Sequence, residues 1–205
     1  MCNQACIDFG RDYLKEADVK GKSVIEVGSL NVNGSLRPIV EALQPASYVG
    51  VDIQMGPGVD QICNVLNLLD YFGHERFDLL ISTELLEHVK DWQKAISNLK
   101  NVLKPHGVLL ITTRSKGFRY HEFPYDFWRY EKSDMKAIFS DFIIEVIKKD
   151  HLKPGIFVKA RKPLDYNEKD LRDYELYSII KKKRIRSINE DDVHLFVKQH
   201  DRSKK

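Results

Sequence analysis

The feature that most constrains the fold is a set of short, almost continuous apolar runs separated by helical patterns. The runs are "SVIEV" at 23–27, "SYVGVDI" at 47–53, "FDLLIS" at 77–82 and "VLLITT" at 108–113, with a shorter one, "QICNV", at 61–65. Strands that alternate with helices indicate βαβ units and a mainly parallel sheet. Strands without polar alternation indicate that helices cover both faces. We therefore predict an α/β fold.

The second half of the chain adds two strands and an extension. "FIIEVIKK" at 142–149 and "GIFVKAR" at 155–161 are joined by a short connection, which predicts an antiparallel pair at one edge. Helices are predicted over 7–20, from Ser35 as N-cap to 43, over 91–103, and from Ser133 as N-cap to 140. We predict one domain over 1–162 and a basic helical extension over 163–205, with an amphipathic helix near 171–180.

Composition limits the classes of partner. The chain has 205 residues, with 33 basic and 30 acidic side chains and a net charge of +3. This balance gives no electrostatic reason to expect a nucleic-acid partner. The apolar runs are strand-sized and the N-terminus lacks the pattern of a signal peptide, so we expect a cytoplasmic protein without a membrane partner. Cys2, Cys6 and Cys63 lack zinc-like spacing, so we expect free thiols and no metal site.

Polar residues follow the predicted strands at their carboxyl ends, where open α/β sheets bind ligands. The first loop, "EVGSLNVNGS", begins at Glu26 and contains Gly28 and Gly34. A dinucleotide loop would need glycine where Leu30 and Asn33 stand. This departure argues against a nucleotide-dependent oxidoreductase. An acid before the glycine suits a ligand that has no phosphate and carries a positive charge.

The next strand ends bring further candidates. Asp52 lies 24 residues after Gly28, where a carboxylate can accept hydrogen bonds from both hydroxyls of a ribose. Asn64 follows the short third strand, and its amide can bind an adenine edge. Ser82 and Thr83 end the fourth strand.

This combination resembles the class I S-adenosylmethionine-dependent methyltransferases, especially the type 11 group. The matching stretches are "VIEVGSLNVNG", "YVGVDI", "FDLLISTELLEHVKDW" and "NVLKPHGVLLITT". They span roughly residues 22 to 114, and the order of elements fits to about residue 161. The resemblance implies a Rossmann-like, doubly wound sheet of seven mostly parallel strands with an antiparallel edge hairpin. It departs from the family at Leu30, where the family loop commonly has glycine.

The resemblance also implies S-adenosylmethionine as the cofactor, and roles by position. The glycine loop, with Glu26, Gly28 and Gly34, would lie by the methionine portion. Asp52 would hold the ribose. The remaining positions are Asn64 and Val65 at the adenine, and Ser82 and Thr83 on the floor near the sulfonium.

The acceptor side is expected to involve "HEFPYDFWRY" at 121–130, which follows the fifth strand. We predict that it folds across the pocket as a lid, with His121 and Arg129 facing the acceptor. His121, or His88 in "LLEHV", is the candidate catalytic base, because an oxygen acceptor must lose a proton. The alternative is that Phe127 and Trp128 anchor a structural loop in which Arg129 pairs with a carboxylate.

The leading hypothesis is methyl transfer to a small hydroxylated acceptor such as a sugar, a glycan or another metabolite. No asparagine-proline-proline-aromatic motif follows the fourth strand, which favours oxygen over nitrogen as the acceptor atom. Alternatives are an RNA methyltransferase that uses "KKKRIR" at 181–186, and a protein that binds the cofactor without turnover. The helix of the extension is expected to dock on the domain or on a second subunit, which would give a homodimer.

Overall fold

The structure is a computed structural model that describes residues 3–122 and 124–203, with side chains to residue 200. Cys2 and Phe123 therefore lie outside the described residues. The first half contains, in order, α1 Gln4–Tyr13, α2 Glu16–Val19, β1 Ser23–Val27, α3 Arg37–Ala42, β2 Ser47–Asp52, β3 Gln61–Ile62, α4 Leu68–Phe72, β4 Phe77–Thr83 and α5 Trp92–Asn101. Two single 3-10 turns, Val65–Asn67 and Leu86–His88, follow β3 and β4.

The second half contains β5 Leu103–Arg114, β6 Trp128–Arg129, α6 Lys132–Ile138, β7 Ile143–Lys149, β8 Gly155–Arg161, β9 Leu176–Ser178, β10 Lys183–Ile185 and α7 Glu190–Ser203. The main sheet has seven strands in the order β3-β2-β1-β4-β5-β8-β7. The first five are parallel neighbours, and β8 runs antiparallel to both β5 and β7. The predicted doubly wound sheet with an antiparallel edge hairpin is confirmed.

Helices cover both faces of the sheet, as the apolar strands predicted. One face packs on α1, α2 and α3 through residues such as Phe9, Val19 and Val40. The other packs on α4, α5 and α6 through residues such as Leu68 and Trp92. Because both faces are covered, the carboxyl ends of the parallel strands are the open edge where a ligand can enter.

Several predicted helix boundaries were wrong for local reasons. The helix predicted over 7–20 is two helices, and the first begins earlier because the Asn3 side chain accepts from the Cys6 amide at 3.0 Å. Ser133 is not the N-cap of α6, because Glu131 takes that position and forms a capping box with Asp134 in the first turn. Ser35 precedes the N-cap of α3, which is Leu36.

The predicted helix near 171–180 is also wrong. Leu176–Ser178 forms β9 instead, and it pairs with β6 on one side and with β10 on the other. Leu176 and Ser178 are fully buried, and Trp128 of β6 lies opposite Ser178. A non-local strand partner therefore overrides the local helical pattern. The helix of the extension lies further along the chain, at α7.

The stretch 121–130 lies over the segment that follows β4, outside the main sheet. The Phe127 amide donates to the Glu87 carbonyl at 2.8 Å, and the Trp128 indole donates to the Val89 carbonyl at 3.1 Å. The Ile179 amide in turn donates to the Phe127 carbonyl at 3.0 Å. The extension therefore holds this stretch against the sheet edge where the candidate site lies.

Candidate active site

A cavity of about 250 Å³ opens at the carboxyl ends of the first four strands. Its wall is mainly apolar, with a few polar groups, which is the usual composition of a site for a small organic ligand. The lining residues are Val27, Gly28, Leu30, Val32, Asp52, Ile53, Cys63, Asn64, Val65, Leu66, Glu84, Leu85, His88, Val89, Lys90, Pro124 and Phe127.

The loop after β1 needs glycine at its first position. Gly28 has a φ of +81°, and a Cβ there would lie 3.1 Å from the Leu85 Cβ. The Leu30 side chain packs against Gly56, where it fills space that a Cβ would otherwise take. The loop thus replaces the expected glycine at 30 with a leucine that becomes part of the cavity wall.

Asp52 organises this loop from the tip of β2. Its two carboxylate oxygens accept from the Leu30 amide at 3.1 Å and from the Ile53 amide at 2.7 Å. A carboxylate offers about four acceptor positions, so two amides do not saturate it. Asp52 lines the cavity half-buried, with acceptor capacity for a pair of hydroxyls.

Asn64 and Val65 lie where the adenine was expected. The Asn64 side-chain oxygen accepts from the Leu66 amide at 2.9 Å and caps the 3-10 turn, so its NH₂ group is the part suited to a ligand acceptor. Val65 is buried and, with Cys63 and Ile53, forms an apolar wall suited to a planar ring.

Four predicted cofactor residues do not line the cavity, which corrects their expected positions. Glu26 lies on the opposite face of β1 from Val27 and accepts from the Tyr48 hydroxyl at 2.5 Å. Burial raises the pKa of Glu26 to about 7, against the opposing effects of Tyr48 and Arg37. Glu26 therefore stabilises β1 and β2 through its bond to Tyr48 and does not contact the cavity.

The other three residues, Gly34, Thr83 and Ser82, are also kept off the cavity wall by their local surroundings. Gly34 lies in the turn before α3, where its amide donates to the Asn31 side chain at 3.0 Å. Thr83 lies on the face of β4 that packs on the first three helices, and Ser82 is fully buried. Glu84 and Leu85 take the place predicted for the two hydroxyl residues.

Glu84 is held in an uncommon conformation directly after β4. Its φ is +55°, which costs a non-glycine residue stability and is found disproportionately at functional sites. It pairs with Arg114, which also donates to Asp150 at 3.0 Å. Burial raises the pKa of Glu84 well above its ordinary value, and the nearby Glu87 adds to this effect.

His88 and His121, the two predicted bases, are brought together by the stretch over β4. Their rings meet edge to face with centroids 4.6 Å apart. His88 Nδ1 lies 2.6 Å from the Tyr125 carbonyl and therefore donates to it, which leaves the lone pair of the neutral ring on Nε2. Burial lowers the pKa of His88, so its neutral form prevails at pH 7.

His121 is oriented in the same way by a carboxylate. Its Nδ1 lies 2.8 Å from Asp126, and its Nε2 lies 4.0 Å from Glu87. His88 lines the cavity, whereas His121 does not line it but packs against the His88 ring, with about a fifth of its side chain exposed. In both histidines Nδ1 is therefore engaged and Nε2 is the nitrogen left with a lone pair; His88 lines the cavity, and Nε2 of His121 lies near Glu87.

Arg129 does not face the cavity, which corrects the prediction. Its guanidinium is 1% exposed and makes two hydrogen bonds to Asp126, at 2.5 and 2.6 Å. It also donates to the carbonyls of Phe118 and Arg119. Arg129 and Asp126 thus fix the stretch internally, as the structural alternative proposed, and Asp126 in turn positions His121.

Glu87 was not predicted as a site residue, and the pairing of Asp126 with His121 was not predicted either. Glu87 directly precedes His88, so the motif "LLEHV" contained the signal for it. Asp126 and His121 reach Glu87 only through the folding of a segment more than 30 residues away in sequence. Nothing in the spacing predicts that approach.

Two further findings concern the surroundings of the cavity and the helices of the described chain. Lys90, on the cavity wall, forms an ion pair with Glu190 of α7, which brings the extension beside the cavity. Among the residues that the structure describes, no helix is both long and apolar enough to cross a bilayer.

Comparison with known proteins agrees with this geometry. The family described as "Methyltransferase domain" matches residues 3–153. Curated relatives named ubiquinone biosynthesis O-methyltransferase include one from Coxiella burnetii, 30% identical over 118 residues, which covers 51% of this chain and 49% of the relative. Another, from Bartonella bacilliformis, is 27% identical over 129 residues and covers 56% and 50%. The chain spans about half the length of these relatives.

Solved structures show the same fold. An S-adenosylmethionine-dependent methyltransferase from Mesorhizobium loti superposes with a TM-score of 0.60 at 16% identity, over 77% of this chain and 98% of that one. The 1,6-didemethyltoxoflavin-N1-methyltransferase of Burkholderia thailandensis, solved with S-adenosylhomocysteine, gives 0.61 at 13% identity over 78% and 79%. Sheet order, cavity position and family match agree: the chain belongs to the methyltransferase-domain family, with the class I S-adenosylmethionine-dependent fold.

Proposed function

We propose that this protein transfers the methyl group of S-adenosylmethionine to a hydroxyl oxygen of a small molecule. The observation that carries the proposal is the cavity itself. It is lined by Asp52 at the tip of β2, by Val65 in an apolar wall after β3, and by His88 in the turn after β4. A nucleoside end and an acceptor end can thus be distinguished within one cavity.

The cofactor fits the polar groups of the first three strands. Asp52 has acceptor capacity for the ribose hydroxyls, and the wall of Ile53, Cys63 and Val65 suits the adenine ring. The cavity has no basic residue in the loop after β1, where a pyrophosphate ligand would need one or a close backbone approach. S-adenosylmethionine has no phosphate and therefore agrees with this loop.

The acceptor is expected at the end of the cavity lined by His88, Pro124 and Phe127. The acceptor oxygen attacks the methyl carbon, the carbon–sulfur bond breaks, and its electron pair stays on sulfur as a neutral thioether. The hydroxyl proton leaves in the same process. Holding the oxygen in line with the carbon–sulfur bond supplies much of the rate enhancement. We assign the role of proton acceptor to Nε2 of His88, which lines the cavity, or to Nε2 of His121, whose ring packs against that of His88.

The names of the curated relatives support oxygen as the acceptor atom, since several are O-methyltransferases. An RNA substrate is less well supported, because three of the basic residues at 181–186 are engaged in ion pairs. Lys181 pairs with Asp192, Arg184 with Asp134, and Arg186 with Asp173. Their charge is thus partly neutralised.

The test is a screen with methyl-labelled cofactor against phenols, sugars and other hydroxylated metabolites, with bulk tRNA as the competing substrate class. We expect labelled product from a hydroxylated small molecule, and loss of that product in Asp52→Ala. Asp70→Ala, an exposed residue of α4, is the matched control and should keep activity. Labelling of RNA but of no small molecule would contradict the proposal.

A turnover test also separates an enzyme from a protein that only binds the cofactor. S-adenosylhomocysteine should accumulate in proportion to methylated product, many times per protein molecule. Binding without accumulation across the whole acceptor panel would favour the non-catalytic alternative.

A further inference from the structure

We propose that Glu87, His88 and His121 bind a divalent transition-metal ion at the wall of the cavity. The three side chains come from the 3-10 turn after β4 and from the stretch that covers it. One ligand atom from each lies within 4.8 Å of the other two. The cysteine spacing on which the expectation of no metal site was based does not bear on histidine and carboxylate ligands.

The distances suit an ion after small side-chain movements. His121 Nε2 lies 4.0 Å from a Glu87 oxygen, which is too long for a hydrogen bond. Metal bonds to imidazole nitrogen and carboxylate oxygen are about 2.0–2.2 Å, so ligands of one ion lie about 3–4 Å apart. The cluster needs to contract by less than about 2 Å to reach that range.

The outer nitrogen of each imidazole is already engaged. His88 Nδ1 donates to the Tyr125 carbonyl at 2.6 Å, and His121 Nδ1 donates to Asp126 at 2.8 Å. Metal-binding histidines almost always make such a bond to a carbonyl or a carboxylate, because it fixes the tautomer and the ring orientation. Both Nε2 lone pairs are consequently available to an ion.

Glu87 supplies an independent observation that points to a ligand. Its side chain is fully buried, and one oxygen accepts from the Thr113 hydroxyl at 2.8 Å. Its other oxygen, Oε1, has no hydrogen-bond partner among the described residues, and this is the oxygen that faces His121. A buried carboxylate oxygen without a partner is costly, and a cation between Glu87 and the histidines would offset that cost.

The chemistry of the ligands limits the identity of the ion. Two imidazole nitrogens and one carboxylate oxygen favour ions such as zinc, iron, cobalt or manganese, whereas magnesium and calcium prefer oxygen ligands throughout. Three protein ligands also leave at least one coordination position open. Since His88 lines the cavity, an open position can be reached from it.

The role of the ion in catalysis rests on the proposed function. A divalent ion that binds the acceptor oxygen lowers the pKa of its hydroxyl, so the proton leaves to solvent before or during the attack on the methyl carbon. The two histidines then act as ligands and not as proton acceptors. The acceptor would be a molecule whose hydroxyl can coordinate the ion.

The test uses the full chain without an affinity tag, stripped with a chelator and dialysed. Cobalt(II) is titrated while its visible absorption is followed, and zinc(II) is titrated by calorimetry. We expect one ion per chain, with affinity at least tenfold weaker in His121→Ala and in Glu87→Gln, which keeps an acceptor for Thr113. His74→Ala, an exposed histidine between α4 and β4, is the control and should bind as the unchanged chain does.

The outcomes separate this inference from the proposed function. Saturable binding of one ion that both cluster variants weaken supports the site, whether or not S-adenosylhomocysteine binds. The inference is wrong if neither ion binds at one per chain, or if both variants bind as tightly as the control. Melting temperatures of all variants, taken without metal, show that a loss of affinity is not a loss of fold.

Discussion

Replacing Glu26 by glutamine should remove a specific pH dependence of stability. Glu26 is 2% exposed, and its pKa is raised from 4.5 to about 7 because burial disfavours the charged carboxylate. The folded state therefore binds this proton more tightly than the unfolded state, and the stability contributed by this group falls as the pH rises from about 4.5 to about 7.

The magnitude follows from the two pKa values. Between pH 5 and pH 8 the ionisation of Glu26 should cost the folded state about 2–3 kcal/mol, and glutamine, which does not titrate, avoids that cost. We would measure urea unfolding of both proteins at both pH values. The unfolding free energy of the variant minus that of the parent should be larger at pH 8 than at pH 5 by about that amount.

Comparing the two proteins at each pH cancels the other groups that titrate in this range. Tyr48 and Arg37 oppose the shift, and Asp60 adds to it, so these neighbours are left unchanged. A difference that stays constant between pH 5 and pH 8 would refute the reasoning, because Glu26 would then titrate alike in both states.

Two further predictions concern the structural supports of the site. Asp126→Asn should destabilise the fold by about 3–5 kcal/mol, because it breaks a buried pair with Arg129. The control Asp170→Asn, in an exposed pair with Arg172, should leave the denaturation midpoint unchanged. Equal midpoints for the two variants would contradict this. Truncation after Lys162 should lower the melting temperature, because it removes the strand partner of β6 and buried Leu176, and a truncated chain that melts as the full one does would show that the extension is dispensable.

The main sheet was predictable because each of its longer strands has a clear signal in its own local sequence. Each is a continuous apolar run bounded by turn residues. The rule that ligands bind at the carboxyl ends led to Gly28, Asp52, Asn64 and Val65, and all four line the cavity. The same rule failed for Glu26 and Thr83, because alternation along a strand sends each to the face away from the cavity.

The remainder depends on contacts that sequence spacing does not encode. The local sequence pattern predicts a helix at 171–180, yet Leu176–Ser178 forms a strand because β6 is available as a buried partner. Arg129 was expected at the acceptor because it is charged, whereas its partner Asp126 lies three residues away and encloses it. The approach of His121 to Glu87 needs the whole stretch to fold over β4.

The most direct test of the account is calorimetric titration of S-adenosylhomocysteine into the full chain, with NAD as the competing ligand. We predict one site per chain that does not bind NAD. Asp52→Ala should weaken binding by about 1–3 kcal/mol, roughly 5- to 150-fold, as expected for losing a charged hydrogen-bond partner, while Asp70→Ala should not change it. Binding of NAD without S-adenosylhomocysteine, or equal affinity in Asp52→Ala, would contradict the assignment of the cavity.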